Sequence, residues 1–136
     1  MKLGLLTAAF PDLGLEEIAR WASAAGFETL EVACWPAGGG TERRYAGVSH
    51  VDAENLDEEG GRAIVQMLAG HGLTISALAY YPNNLDPDLA QREHVNEHLR
   101  KVIAAAPKLG VDVVGTFVGR DKERSERDNL GLFGGV

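Results

Sequence analysis

The chain has 136 residues, 45% of them hydrophobic, with 20 acidic against 13 basic side chains for a formal charge of −7. That suits one globular domain with a sizeable core, and the acidic balance argues against broad binding to nucleic acid or anionic membrane. No apolar run approaches the roughly 20 residues of a bilayer span, and a single cysteine, Cys34, excludes both an intrachain disulfide and a Cys-based zinc site, making a reducing cytoplasm the expected compartment.

In chain order, Lys2 to Thr7 reads as a first strand; its lysine-led apolar stretch is short for a secretion signal and runs straight into Phe10-Pro11-Asp12. Leu15 to Ala25 follows as a helix, with Leu15, Ile18, Ala19 and Ala22 in one apolar stripe. Gly14 is its N-cap, and Glu16 and Glu17 favour the positive end of the helix dipole. Thr29 to Cys34 is a second strand. A second helix is expected from Asp57 to Gly70, opened by Asn55 and Glu58 at capping-box spacing and weakened by Gly60 and Gly61 by up to about 1 kcal/mol each. Thr74 to Ala79 is a third strand. The third helix runs from Leu89 to Ala106 with Val95, Leu99, Val102, Ile103 and Ala106 on one face, and Pro107 ends or kinks it. Val111 to Val118 is the fourth strand.

One junction recurs three times. Ala25-Gly26-Phe27, His71-Gly72-Leu73 and Leu109-Gly110-Val111 each end a helix in glycine and enter an apolar strand at once. Glycine accepts the left-handed conformation that closes a helix, and the short link returns the chain to the sheet. Four strands alternating with three helices imply parallel pairing through right-handed crossovers. Closed barrels and open doubly wound sheets share this pattern.

In both architectures ligands bind at the C-terminal ends of the strands, on loops entering helices. Those loops are the long ones here, as a binding face requires. Trp35 to Asn55 carries Gly38-Gly39-Gly40, Arg43-Arg44-Tyr45 and Ser49-His50; Tyr80-Tyr81-Pro82-Asn83-Asn84-Leu85-Asp86-Pro87 and Gly119-Arg120-Asp121 follow the later strands. Glu31 falls on the interior face of its strand, where it either orients a substrate hydroxyl or holds a basic neighbour. His50 either contacts a sugar and moves a proton or is a solvated loop residue. Arg43, Arg44 and Arg120 offer a phosphate clamp or are simply solvated. Tyr80 and Tyr81 suit stacking on a sugar ring, and Asn83 and Asn84 offer a donor and an acceptor to its hydroxyls; the plainer reading is a Pro/Asn turn with one tyrosine packed beneath it. His71, His94 and His98 are surface or packing residues. His94-Val95-Asn96-Glu97-His98 lacks the order of a zinc-protease HExxH motif, and the triple glycine lacks the spacing of a phosphate loop.

Five segments carry a resemblance: Lys2-Leu3-Gly4-Leu5-Leu6-Thr7, Leu30-Glu31-Val32-Ala33-Cys34-Trp35, Arg43-Arg44-Tyr45-Ala46-Gly47-Val48-Ser49-His50, Ala79-Tyr80-Tyr81-Pro82-Asn83-Asn84-Leu85 and Gly115-Thr116-Phe117-Val118-Gly119-Arg120-Asp121. Together they resemble the sugar phosphate isomerase/epimerase family, within the xylose isomerase-like TIM barrels that also include type IV AP endonucleases. The resemblance implies an α/β fold, a parallel strand–helix series forming the first half of a TIM (β/α)8 barrel. It implies an isomerase of carbohydrate metabolism, in which a divalent metal (Mn, Mg or Zn) assists proton transfer on a sugar or sugar phosphate. The family's metal-binding and catalytic acids lie on later strands, so no catalytic or metal residue is carried over. The matching positions are substrate-side: Glu31, His50, Tyr80, Asn83, Thr116 and Arg120.

A complete barrel takes about 250 residues, rarely fewer than 200. Residues 1–136 are therefore expected to be a single, truncated half-barrel domain, inactive alone, that self-associates through exposed sheet edges. A genuine half-barrel, a barrel rebuilt from two copies, and a noncatalytic sugar-binding module are the alternatives. An AP endonuclease fits poorly with the acidic charge and the lack of a His-rich metal set.

Overall fold

A computed structural model gives the structure of residues 1–37 and 47–135. Strand β1 (Gly4–Leu6) leads through a 3₁₀ turn (Thr7–Ala9) to α1 (Leu15–Ala24), then β2 (Thr29–Ala33), α2 (Glu58–Gly70), β3 (Thr74–Ala79), α3 (Leu89–Ala105), a second 3₁₀ turn (Ala106–Leu109), β4 (Val114–Gly115) and α4 (Glu126–Phe133). The strands form one sheet in the order β1-β2-β3-β4, every pair parallel. The alternating strands and helices make a parallel α/β unit. No helix among the described residues is long and apolar enough to cross a membrane.

The three junction glycines do what their positions require. Gly26, Gly72 and Gly110 have φ of 88°, 73° and 64°, the left-handed region that a Cβ disfavours. Each closes a helical segment and delivers the chain to the next strand within a few residues.

Helix starts differ in part from expectation. Gly14 is the N-cap of α1, and its N–H donates to the Glu17 carboxylate at 3.0 Å. For α2 the cap is Asp57, whose carboxylate accepts the Gly60 N–H at 2.7 Å. Asn55 instead donates through Nδ2 to Asp52 at 2.7 Å in the preceding turn. Gly61 has its own reason: α2 approaches the second 3₁₀ turn so closely that a Cβ there would overlap the Lys108 carbonyl. In α3 the buried stripe is Val95, Leu99, Val102 and Ala105, and Ile103 stands out of it, since one residue of helix turns the face by about 100°. The terminal helix α4 was not foreseen as an element. Ser125 caps it by accepting the Asp128 N–H at 3.2 Å, and Asp128 accepts from the Ser125 hydroxyl at 2.6 Å.

The fourth strand is much shorter than Val111 to Val118. Only Val114–Gly115 is strand, because β3 is its one neighbour among the described residues and pairs with it only at Leu78 and Ala79.

The helix-covered face of the sheet is the core. Leu30, Val32 and Leu78 are fully buried there with Leu68 of α2, Val102 of α3 and the small Ala19 and Ala22 of α1. Each large side chain so buried contributes roughly 1.5–3 kcal/mol of transfer free energy. The opposite face carries Leu6, Glu31, Ala33, Ala77, Ala79 and Gly115 by strand alternation and register.

A β-bulge decides which residues of β3 join that second face. Leu30 pairs with Ile75 but Glu31 pairs with Ala77, leaving Ser76 as the extra residue. Its hydroxyl donates to the Leu30 carbonyl at 3.1 Å, so the bulge keeps its polar groups satisfied. One inserted residue reverses the side-chain alternation beyond it. Leu78 and Tyr80 therefore turn toward the helices, and Ala79 and Tyr81 turn inward beside Ala33 and Glu31.

Candidate functional site

Three clusters stand at the C-terminal ends of the strands. On the inner face, Tyr81 donates its phenol hydrogen to Glu31 Oε1 in a short hydrogen bond across β2 and β3. Gly115 of β4 lies beneath this pair, and a Cβ there would overlap the Tyr81 hydroxyl. The Tyr81 ring sits 4.8 Å from Phe117 and 6.2 Å from Trp35, and Phe117 is 59% exposed. Burial first, and the Glu31 carboxylate second, push the Tyr81 phenol up to about 12. It therefore stays a hydrogen-bond donor throughout the neutral range.

Tyr80 is 2% exposed and lies on the other side of the sheet. Its ring makes edge contacts with His98 at 4.7 Å and Trp35 at 5.7 Å, and His98 Nε2 donates to the Cys34 carbonyl at 2.8 Å. Burial raises the Tyr80 phenol to about 12 and the Cys34 thiol likewise to about 12. Tyr80 is thus the tyrosine packed beneath the turn. His98 packs in the core, whereas His94 is exposed on the same helix.

The second cluster is a latch between the first two βα loops. The segment after β2 returns beside that strand, with the His50 N–H donating to the Ala33 carbonyl at 2.9 Å. His50 Nε2 faces the carbonyls of Phe10 at 3.2 Å and Leu13 at 3.1 Å, so it must carry the proton. Nδ1, 2.9 Å from Thr7 Oγ1, then accepts from that hydroxyl, which itself accepts the Ala33 N–H at 2.9 Å. Desolvation, opposed by the two carbonyls, lowers the His50 pKa below its ordinary value. A cleft of about 360 Å³ opens beside the latch, but both ring nitrogens of His50 are turned into protein.

The third cluster knots the β3–α3 loop to the β4–α4 loop. Asn83 Oδ1 accepts the Arg120 N–H at 2.8 Å, and its Nδ2 donates to the Arg120 carbonyl at 3.0 Å. Asn84, fully buried, donates to Thr116 Oγ1 at 3.0 Å and to the Phe117 carbonyl, while its Oδ1 has no partner among the described residues. Gly119 passes at φ 80° so close to Asn83 that any side chain there would collide. Behind the knot, buried Asp121 takes Arg124 at 3.1 Å and Arg92 at 3.5 Å. The Arg120 side chain is exposed.

Of the six residues singled out in the sequence, Glu31 faces the interior, Arg120 is exposed, and Thr116 is half-buried with its Oγ1 accepting from Asn84. His50, Tyr80 and Asn83 spend their polar or aromatic groups on the protein itself. Sequence reasoning did not pick out Thr7, Gly115 or Phe117. A glycine within a β-rich run was the available signal for Gly115. Gly38-Gly39-Gly40, Arg43 and Arg44 lie outside the described residues.

A family model, the Xylose isomerase-like TIM barrel, matches residues 19–133. The chain belongs to this family. Solved structures agree in fold: a D-psicose 3-epimerase from Clostridium cellulolyticum H10 with D-tagatose superposes at TM-score 0.64 and 15% identity, over 98% of this chain and 45% of that one. A sugar phosphate isomerase/epimerase from Parabacteroides distasonis ATCC 8503 gives 0.58 and 18%, over 97% and 44%. The IolI protein with a bound zinc atom gives 0.58 and 15%, over 99% and 47%. This xylose isomerase-like chain therefore spans less than half the length of these structures. No curated protein matches its sequence.

Proposed function

We propose that the chain supplies the substrate-side wall of a sugar isomerase/epimerase barrel and is inactive alone. The observation that carries this reading is the inner-face pair of Glu31 and Tyr81, with Phe117 and Trp35 beside the Tyr81 ring, at the strand ends where barrels of this kind bind ligands. A carboxylate held by a tyrosine, with the exposed Phe117 ring next to that tyrosine, suits a polyol, whose hydroxyls need an acceptor and whose C–H faces need apolar cover. In this reading Glu31, Thr116 and Arg120 meet the sugar or sugar phosphate, and His50, Tyr80 and Asn83 hold the wall that presents them.

The family reaction implies a divalent metal, Mn, Mg or Zn, in a complete barrel. The described residues do not fit one: no three His, Cys, Asp or Glu side chains come together, Glu31 stands alone, and both nitrogens of His50 are engaged. No chemical step is assigned to a metal held by this chain. Residues 1–136 act as one half-barrel domain in the cytoplasm.

The test is a panel of ketoses, aldoses and their phosphates, with Mn²⁺, Mg²⁺ and Zn²⁺ each added in turn. Binding without turnover is the expected result. Turnover by the monomeric chain would overturn the inactivity, and absence of any sugar binding would overturn the function.

Exposed edges favour a second reading, self-association. β1 and β4 each have one strand neighbour among the described residues, and Val113, Phe117 and Val118 expose apolar surface beside β4. Sedimentation across a concentration series should show reversible dimers or larger species; a monomer at all concentrations rejects this reading.

A further inference from the structure

We propose that Glu31, Tyr81 and Gly115 form a hydroxyl-reading subsite that takes the uncharged polyol end of the substrate and keeps any phosphate away. The inference rests on the sugar reading above and fixes the orientation of the ligand within it. Three observations carry it. Tyr81 holds Glu31 Oε1, while Oε2 has no partner among the described residues, so one carboxylate oxygen is anchored and the other is free to accept. The anchor exists only because Gly115 has no side chain: a Cβ would occupy the space of the Tyr81 hydroxyl and stand 3.3 Å from Glu31 Oε1. The bulge at Ser76 turns Tyr81, and not Tyr80, toward this face.

The chemistry then selects the ligand. A half-buried carboxylate accepts hydrogen bonds from hydroxyls and repels an anion, so a phosphate beside Glu31 would suffer like-charge repulsion where water screens weakly. The exposed ring of Phe117 next to Tyr81 offers apolar cover to the carbons that bear those hydroxyls. Gly115 is in this sense a specificity-determining position, and Tyr81 is a positioning residue that acts through Glu31.

Calorimetric titration of the intact chain with D-tagatose and with D-tagatose 6-phosphate tests this. Glu31→Gln and Tyr81→Phe should each weaken both sugars, Glu31→Gln by about tenfold, since a bond to a charged acceptor is lost. Gly115→Ala should do the same if it folds; Tyr81→Phe, which removes one oxygen, keeps the test valid if it does not. A ligand-independent readout accompanies these: near pH 10, where an ordinary tyrosine is half ionised, Glu31→Gln should raise the tyrosinate absorbance, and the rise should vanish when Tyr81→Phe is added. Wild-type binding that Glu31→Gln leaves within about twofold overturns the subsite and spares the sugar reading. Tighter binding of the phosphorylated sugar by Glu31→Gln overturns the orientation. A wild-type chain that binds neither sugar overturns subsite and sugar reading together.

Discussion

The two faces of the sheet are built from the same four strands and by opposite rules. Toward the helices, Leu30, Val32 and Leu78 are fully buried against α1, α2 and α3. Toward the interior, alanine and glycine alternate with Leu6, Glu31, Tyr81 and the exposed Phe117, and the principal contact is polar. The first face holds stability in apolar area; the second leaves space and places one carboxylate in it. Ser76 marks the boundary, because removing that one residue would exchange the faces of everything after it in β3.

The largest effect expected is the one that contrasts these faces directly. Leu78→Ala deletes buried methyl groups and leaves a cavity in the core between sheet and helices, and should cost about 2–5 kcal/mol. Phe117→Ala removes more atoms from the inner face yet should cost less than about 1 kcal/mol, since that ring is mostly in water. Urea denaturation of both variants measures the difference. Equal losses would mean that the inner face is packed, and the contrast would collapse.

Next comes a test of close packing on the helical side. On an open helix Gly61→Ala would stabilise by up to about 1 kcal/mol through propensity alone. Here the added carbon meets the Lys108 carbonyl, and the 3₁₀ turn is pinned further by Lys108 Nζ donating to the Leu56 carbonyl at 2.7 Å. Overpacking of that kind costs about 1–3 kcal/mol, so the net change should be destabilising. Gly70→Ala, in the last turn of the same helix with nothing near its Cβ position, is the control and should not destabilise. A smaller effect is expected at the helix start: Asp57→Ala should cost about 1 kcal/mol, whereas Asn55→Ala should cost less, because Asn55 donates within an exposed turn and caps nothing.

These contrasts also mark what was legible before any coordinates. The order of elements followed from apolar periodicity, and the three glycine junctions fixed where each helix hands over to a strand; all of these are local signals. Glu31 was placed on the interior by alternation within its own strand. What was not legible is non-local. No pattern in Thr74-Ile75-Ser76-Ala77 announces the bulge that turns Tyr81 rather than Tyr80 inward; the sequence leaves both tyrosines as candidates, and the resemblance named Tyr80. The length of β4 depends on its neighbour, not on its own apolar run. His50 reads as a sugar contact or a solvated loop side chain until the chain folds back and brings Thr7, Phe10 and Leu13 around it. Conversely, the Ser125-Asp128 spacing that opens α4 is a local signal that was present and passed over.

The smallest effect expected is also the one that separates a latch from a ligand-binding histidine. In the unfolded chain a histidine titrates near 6.5, and burial lowers His50 below that in the folded state. Between the two values the unfolded chain binds the proton and the folded chain does not, so stability rises with pH across that window. The contribution is fully present above about 6.5 and is lost as pH falls through the folded value, because a protonated Nδ1 can no longer accept from the Thr7 hydroxyl. His50→Gln should flatten this part of the stability profile, read by urea denaturation across the pH range, while Thr7→Val, which removes the hydroxyl that donates to Nδ1, should cost stability above that window. Loss of sugar affinity in His50→Gln with an unchanged stability profile would instead place the imidazole in the ligand site and undo the division between wall and support.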